Sequence, residues 1–567
     1  MNLDLSEQAQ AALAEDCPIL VLGGPGSGKT TLSLLKAQRL MTDLKTGQEI
    51  LFLSFSRAAV RQVLTRCRDL LTFEERQSIN VKTYHAFCMD ILRAHGRLLT
   101  GGPARLYFPG PERVDKAAFG GDWEAERLRL ATEDGLYVFD LFASSSAGLL
   151  ARSSSVRELI ADKYPVIIVD EFQDTDDAQW ELVKILSVGS RLVILADPDQ
   201  RIFEYDSRVD PRRLDLLREF LHPAEFDLGG ENHRSPDAGI LQYADAILYN
   251  RELPDTADVQ VIRYWTRNFE SQVHAALIWT LSALRQAGIT EPSVAVLCRA
   301  NPFVADLSAI FSVEHAYNGY SLRPVDHDVV WDAELTAAAA QVIASILEWP
   351  DRDVSVAVSR SLTAIADYFE VKNSITPSAS AESTMTRYRT ASNKVAEGAL
   401  PRPRSAIQLV EAFNLGLKIN GDPAADWIRA REVVAQIPEF KEVHANVRYV
   451  RLFRATDEIG NRLAQEWSER GSYGNASDIV KRTLNMGRII SSQRDPQGCL
   501  IMTIHKSKGK EFDAVVLVEG KYKSKFFDES REEAPFIASR RLLRVGITRA
   551  RHKVVIVRPT DARALVG

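Results

Sequence analysis

The sequence predicts an α/β fold built on two parallel sheets, and three observations carry that prediction. Short apolar runs recur, each followed by a polar turn and a helical stretch, which is the pattern of parallel strands joined by crossover helices. The pattern comes in two blocks, one up to residue 257 and one from Asp258 onward. Each block is interrupted by a stretch that loses the strand pattern, over 96–161 and 350–491. The expected units are therefore 1–95 with 162–257, the insertion 96–161 within it, 258–349 with 492–567, and the mainly helical insertion 350–491.

The first block opens on Leu5-Ser6-Glu7-Gln8 and an alanine-rich helix ending near Asp16. The Gln8 amide offers a donor and an acceptor, which suits an adenine edge; Ser6 also reads simply as a helix N-cap. Residues 18–22 form a strand, and Gly23-Gly24-Pro25-Gly26-Ser27-Gly28-Lys29-Thr30 follows it, ahead of a helix from Thr31. This is G-x-x-x-x-G-K-[ST] in its strand–loop–helix setting. The glycines let backbone N–H groups turn onto phosphate oxygens, and the helix N-terminus favours the same anion. Lys29 would reach the β- and γ-phosphates of ATP, and the Thr30 hydroxyl would complete a Mg²⁺ shell.

A second strand spans 49–55 and runs into a helix from Ser56; a third, from Val81, leads through Tyr84-His85-Ala86-Phe87 into a helix ending near His95. The 96–161 stretch is cut by Gly/Pro pairs and by the serine clusters 144–146 and 153–155, but its aromatics and leucines mark it as a packed insertion. Residues 164–169 resume the sheet and end in Asp170-Glu171-Phe172-Gln173-Asp174. Carboxylates at the C-terminal end of a parallel strand lie where such sheets bind ligands. Asp170 is placed to hold Mg²⁺ and Glu171 to polarise an attacking water. The strand 191–196 then leads to Asp197-Pro198-Asp199-Gln200, with Gln200 placed to sense the γ-phosphate. Phe203 and Tyr205 are aromatics on which a base can stack, and Arg234 in Asn232-His233-Arg234-Ser235 is a candidate charge neutraliser for the transferring phosphoryl group.

The second block has strands at 259–265 and 294–299, a helix over 269–287, and Pro302 at the start of the next helix. Beyond Trp349-Pro350 the chain is helical and polar, with a Ser/Thr-rich loosening over 373–386 and a break at 401–404. Its basic residues, Arg387, Arg389, Arg402, Arg404, Lys441, Arg448, Arg451 and Arg454, read either as a face for a duplex backbone or as a solvated helical surface. The sheet returns at 500–504, followed by His505-Lys506-Ser507-Lys508-Gly509-Lys510-Glu511-Phe512 and a strand over 514–518. A helix then runs through Arg540-Arg541-Leu542-Leu543-Arg544-Val545-Gly546-Ile547-Thr548-Arg549 to a last strand at 553–557.

Composition narrows the classes. The 567 residues are 45% hydrophobic and 26% charged, ordinary for a chain that buries real cores. Five cysteines (Cys17, Cys67, Cys88, Cys298, Cys499) lack C-x-x-C spacing, which indicates neither a disulfide framework nor a zinc site. A polar N-terminus and the lack of an apolar run near the ~20 residues of a membrane span point to a cytoplasmic protein with no membrane partner. The net charge of −6 leaves nucleic acid open, because a local groove can be positive on an acidic body.

Taken in order, Gln8, the phosphate loop, SFSRAA, TYHAF, DEFQDT, ADPDQRIF, NHRS, HKSKGKEF and VGITRA resemble the motifs of the UvrD/Rep/PcrA group of superfamily 1 DNA helicases. The likeness frames residues 5–551 and implies two RecA-like motor domains with ATP between them. It implies that Gln8 reads adenine, that residues 24–31 (Gly24, Pro25, Gly26, Ser27, Gly28, Lys29, Thr30, Thr31) hold the phosphates, and that Thr30 and Asp170 hold Mg²⁺. Glu171 would be the catalytic base, Gln200 the link from γ-phosphate to DNA, Arg234 and Arg549 the arginine fingers, and Glu511 a ribose contact. Phe55, His85, Phe203, Tyr205 and His505 would line a single-strand track. His233 stands where family members often carry a tyrosine, and Tyr205-Asp206 replaces a tryptophan–arginine pair, of which only Tyr205 can still stack. The resemblance implies 3′ to 5′ travel on single-stranded DNA or a duplex with a single-stranded tail. An alternative is a DNA-sensing regulatory subunit acting with a nuclease or another repair or phage-defence protein.

Overall fold

A computed structural model of the chain describes all residues except 1–4, 17, 108–111, 113–118, 120, 202–207, 230–231, 236–238, 331–333, 376–378, 448–449, 451–455, 492–497 and 531. The first block supplies β1 (Ile19–Leu22), β2 (Ile50–Ser54), β3 (Ile79–Thr83), β4 (Arg105–Tyr107), β5 (Leu136–Val138), β6 (Val166–Val169), β7 (Arg191–Ala196) and β8 (Ala224–Asp227). Six of these form a sheet in the order β3-β2-β6-β7-β1-β8, with every neighbouring pair parallel. β4 and β5 pair separately, also in parallel.

The inner strands β2, β6, β7 and β1 alternate between two buried faces, which is why their sequences are apolar at nearly every position. Leu20, Leu51, Leu53, Ile167 and Val169 point into one core, whereas Ile19, Val21, Ile50, Phe52, Val166 and Ile168 point into the other. The described residues of the 96–161 insertion form no core of their own. Tyr137, Phe142, Leu149 and Leu150 join the first of these cores. Its serine clusters do not break it: Phe142–Arg152 is one helix, in which buried Ser146 donates to Cys88 O at 3.2 Å, and Ser153 caps the next helix, Ser154–Lys163.

The second block supplies β9 (Val259–Tyr264), β10 (Val294–Cys298), β11 (His315–Tyr317), β12 (Tyr320–Leu322), β13 (His327–Val330), β14 (Cys499–Thr503), β15 (Phe512–Val518) and β16 (Ala550–Pro559). Its sheet, β13-β14-β10-β15-β16-β9, is again parallel throughout. The last strand starts at Ala550, directly after Arg549, rather than at residue 553. The helix Ile240–Leu248 precedes β9 yet packs on this second sheet through Ile240, Tyr243, Ala244 and Ile247.

A separate core is helical and gathers Trp349, Tyr368, Tyr388, Phe440 and Tyr473. The helix Glu334–Leu347 already belongs to it through Ala339, Ile343 and Leu347, ahead of the Trp349-Pro350 break. The loosening expected over 373–386 is corrected: the helix Ala379–Ala396 runs through most of it. Thr384, Thr386 and Thr390 donate to the carbonyls four residues back, so hydroxyls that favour loops are absorbed by the helix itself. Among the described residues no helix is long and apolar enough to cross a membrane.

Candidate nucleotide site between the two sheets

β1 lies between β7 and β8, so its C-terminal end opens beside those of β6 and β7. The loop after β1 enters the helix Lys29–Met41 through Gly28, which sits at φ +85, and Gly26 sits at φ +78. Side chains there would be strained, and a Cβ on Gly26 would also meet Arg234 Cβ at 2.6 Å. Lys29 Nζ donates to the carbonyls of Gly23 and Gly24, at 2.5 and 3.0 Å, so its ammonium lies within the loop. Ser27 Oγ is buried there without a hydrogen-bond partner among the described residues. Thr30 and Thr31 occupy the first turn of the helix, half-buried, and Pro25 is buried. His233 N–H donates to Gly26 O at 2.7 Å, and its ring lies over Gly28, 3.1 Å from where a Cβ would be. Gln8 is exposed on the helix Glu7–Ala14, which Ser6 caps by accepting from Ala9 N–H at 3.1 Å.

β6 ends in the acidic pair. Asp170 N–H donates to Leu53 O at 2.9 Å, and Glu171 adopts φ +52, which turns the chain sharply after the strand. Burial first, and then the neighbouring Glu171 carboxylate, push Asp170 up to about 7, against the pull of Lys29. Burial also raises Glu171, but Lys508, Lys29 and the Gln173 amide, which donates to Glu171 Oε2 at 2.5 Å, outweigh it and hold the carboxylate below its usual range. The two half-buried acids therefore differ in proton affinity: at Asp170 burial and the Glu171 carboxylate outweigh Lys29 and Lys508, whereas at Glu171 the same lysines and the Gln173 amide prevail.

The second sheet closes this site from the opposite side. Arg234 Nη2 donates to Glu511 Oε1 at 2.7 Å and its Nη1 to Thr548 O at 2.8 Å. Arg551 donates to the other Glu511 oxygen at 3.0 Å; burial opposes the charge, but the two arginines bring Glu511 down to about 2. Arg549 Nη2 donates to Gln200 Oε1 at 3.1 Å, while Gln200 Nε2 donates to Asp197 Oδ2 at 2.8 Å. Burial and the nearby Arg234 bring Arg549 down to about 9, which leaves it charged at neutral pH. Three expected residues from distant parts of the chain, Gln200, Arg234 and Arg549, thus meet at one seam with Glu511.

Lys508, Gln173 and Asp174 were legible only as letters inside motifs. Lys508 Nζ bonds to Asp174 Oδ2, donates to Gln200 O at 2.9 Å and stands 3.8 Å from Glu171 Oε2. It delivers a cation from the second sheet into the first sheet's buried acids, 334 residues away from Asp174 in sequence. No local pattern reports a contact of that separation.

The proposed single-strand track is only partly described. Phe55 follows β2 and is exposed, and His85 begins the helix Tyr84–His95 and stacks on Phe139 at 4.2 Å between ring centroids. His505 lies in the helix Ile504–Ser507, and burial, with Arg299 and Lys508, pushes it down to about 4, so it is neutral at pH 7. Phe203 and Tyr205 lie outside the described residues. The insertion's basic residues are partly committed internally: Arg387 pairs with Glu439 at 2.9 Å, and Arg389 with Asp367 and Glu370 at 3.0 Å each. Arg448, Arg451 and Arg454 also lie outside the described residues.

A phosphate loop on one parallel sheet, faced by Arg549 carried on a second, defines a P-loop nucleotide-binding protein of two-sheet architecture. Residues 6–206 match the family model described as an AAA domain, and residues 498–557 match that of the UvrD-like helicase C-terminal domain. The chain is 22% identical to the ATP-dependent DNA helicase UvrD1 of Mycobacterium leprae, over 97% of this chain and 82% of that protein. It is 23% identical to the ATP-dependent DNA helicase Rep of Escherichia coli, over 99% and 93%. A Rep from Salmonella typhimurium is 27% identical over 41% of each chain. Over nearly its whole length the chain is thus similar to the UvrD/Rep/PcrA group of superfamily 1 DNA helicases.

Proposed function

We propose that this chain is an ATP-dependent DNA motor that travels 3′ to 5′ along single-stranded DNA and couples ATP hydrolysis to strand separation or to displacement of bound material. The observation that carries the reading is the seam itself, where Lys29, Arg234 and Arg549 converge with the Asp170-Glu171 pair. The loop and its unpartnered Ser27 hydroxyl suit phosphate oxygens. Thr30 and Asp170 would hold Mg²⁺, whose charge would offset that of the β- and γ-phosphates.

The chain's own residues then divide the work. Glu171, kept ionised by Lys508 and Lys29, accepts the proton of the attacking water. Arg234 and Arg549 lie against the charge that develops on the transferred group, and Gln200, bonded to Arg549, registers whether that group is present. Because Arg549 and the loop are held by different sheets, their alignment depends on closure of the seam. Alternating closure and opening would make Phe55, His85, Phe203, Tyr205 and His505 grip and release successive bases.

Lys29→Ala tests the reading. DNA-stimulated ATP hydrolysis should fall to the background rate while the thermal melt is retained. Undiminished stimulated hydrolysis in that variant overturns the assignment.

A further inference from the structure

One guanidinium in the seam has no part in the chemistry above. Arg544 sits on the helix Ile537–Ile547, packed on the second sheet, and its side chain is 5% exposed. Its Nε donates to Asp245 Oδ1 at 2.7 Å, which anchors it to the helix Ile240–Leu248 on its own side. The other end of the fork crosses the seam. Nη1 stands 3.5 Å from Asp197 Oδ2 yet has no hydrogen-bond partner among the described residues, and Nη2 lies where a Cβ on Gly24 would be 3.2 Å away.

A buried guanidinium N–H left without an acceptor is costly, so its aim calls for a reason. Asp197 Oδ2 is the atom that also accepts from Gln200 Nε2, and Gln200 Oε1 accepts from Arg549. Arg544 and Arg549, from one helix and the turn after it, therefore address the two ends of a single Asp197–Gln200 pair. Charge-assisted N–H···O bonds are at their best near about 2.8 Å, so a small closure of the seam completes this one.

We propose that Arg544 is a positioning residue for Gln200, closing onto Asp197 as the two sheets tighten around ATP and so fixing the amide against the transferring phosphoryl group. The proposal rests on the motor reading above. Before closure the Nη1 donor waits without an acceptor; after closure Asp197 is held between Arg544 and Gln200, and the amide loses its freedom to turn.

The experiment compares steady-state, DNA-stimulated ATP hydrolysis in the full-length wild type, Arg544→Gln, Arg544→Lys, Asp197→Asn and the Arg544→Gln/Asp197→Asn double variant, with a thermal melt of each. Arg544→Gln should lower kcat roughly tenfold and leave KM for ATP within about twofold, the split expected of an interaction made only at closure. Arg544→Lys should recover most of the rate, and in the Asp197→Asn background Arg544→Gln should cost nothing more. Unchanged kcat in Arg544→Gln sinks the proposal. So does a loss of the same size in the Asp197→Asn background, or a loss that tracks a lowered melt and is not rescued by lysine. A wild type without stimulated hydrolysis would instead sink the motor reading, and this proposal with it.

Discussion

At the scale of single residues, Arg549 shows how the site divides between binding and chemistry. Its Nη2 reaches Gln200 on the opposite sheet, and its Nε is held by Val545 O at 2.9 Å, so the guanidinium is fixed by its own helix end. A group aimed at charge that develops during transfer stabilises the transition state more than bound ATP. Arg549→Ala should therefore lower kcat by about 10²-fold or more, with only a small change in nucleotide affinity by fluorescence titration. Comparable losses in both would make it a structural residue. The residues legible in the sequence were those whose chemistry is local: the 23–30 loop needs its glycines in consecutive order, and Asp170-Glu171 needs only a strand before it. Lys508 and Arg544 were hidden in plain motifs, because a lysine's or arginine's role depends on which carboxylate it meets across the seam, and Asp174 and Asp197 are not near them in the chain.

At the scale of elements, strands buried on both faces announce themselves. β6 and β10 are short unbroken apolar runs because each side chain, up or down, meets a core. β13 gives no such signal: it is an edge strand, half-buried, and begins His327-Asp328, whose polarity reads as loop. Serine and threonine misled in the opposite direction, since a helix can satisfy their hydroxyls on its own carbonyls. In the helical core that economy becomes structural. Ser361 Oγ accepts from Trp349 Nε1 and from Ser345 Oγ, both at 3.0 Å, and donates to Ala357 O at 3.2 Å. Ser361→Ala would leave the buried indole N–H without an acceptor, at a cost of about 1–3 kcal/mol. In chemical denaturation followed by far-ultraviolet circular dichroism, the midpoint should fall with the slope unchanged. An unshifted midpoint would mean that the indole finds another acceptor.

At the scale of the molecule, the two sheets are tied by a small set of charged contacts: Arg234 to Glu511 and Thr548 O, Arg549 to Gln200, and Lys508 to Asp174 and Gln200 O. Each has its value only when both partners are in place, because a buried charge without its partner is destabilising. The seam is therefore coupled: a nucleotide that draws Arg234 or Arg549 toward phosphate also disturbs the contacts at Glu511 and Gln200. Such a two-position seam moves a strand in one direction if the two sheets grip it alternately, and the residues that would grip it follow β2, β3 and β14. The helical insertion, by contrast, spends Arg387 and Arg389 on internal carboxylates, which removes two cations from any face for a duplex backbone. Oligonucleotides blocked by streptavidin at one end separate these properties. A 3′ to 5′ motor should displace streptavidin from a 5′-biotinylated strand in the presence of ATP, and much more slowly from a 3′-biotinylated one. The reverse preference would overturn the direction. Release that appears only when a co-purifying protein is added would make the chain the regulated subunit of a larger machine, because the seam would then need a partner to close.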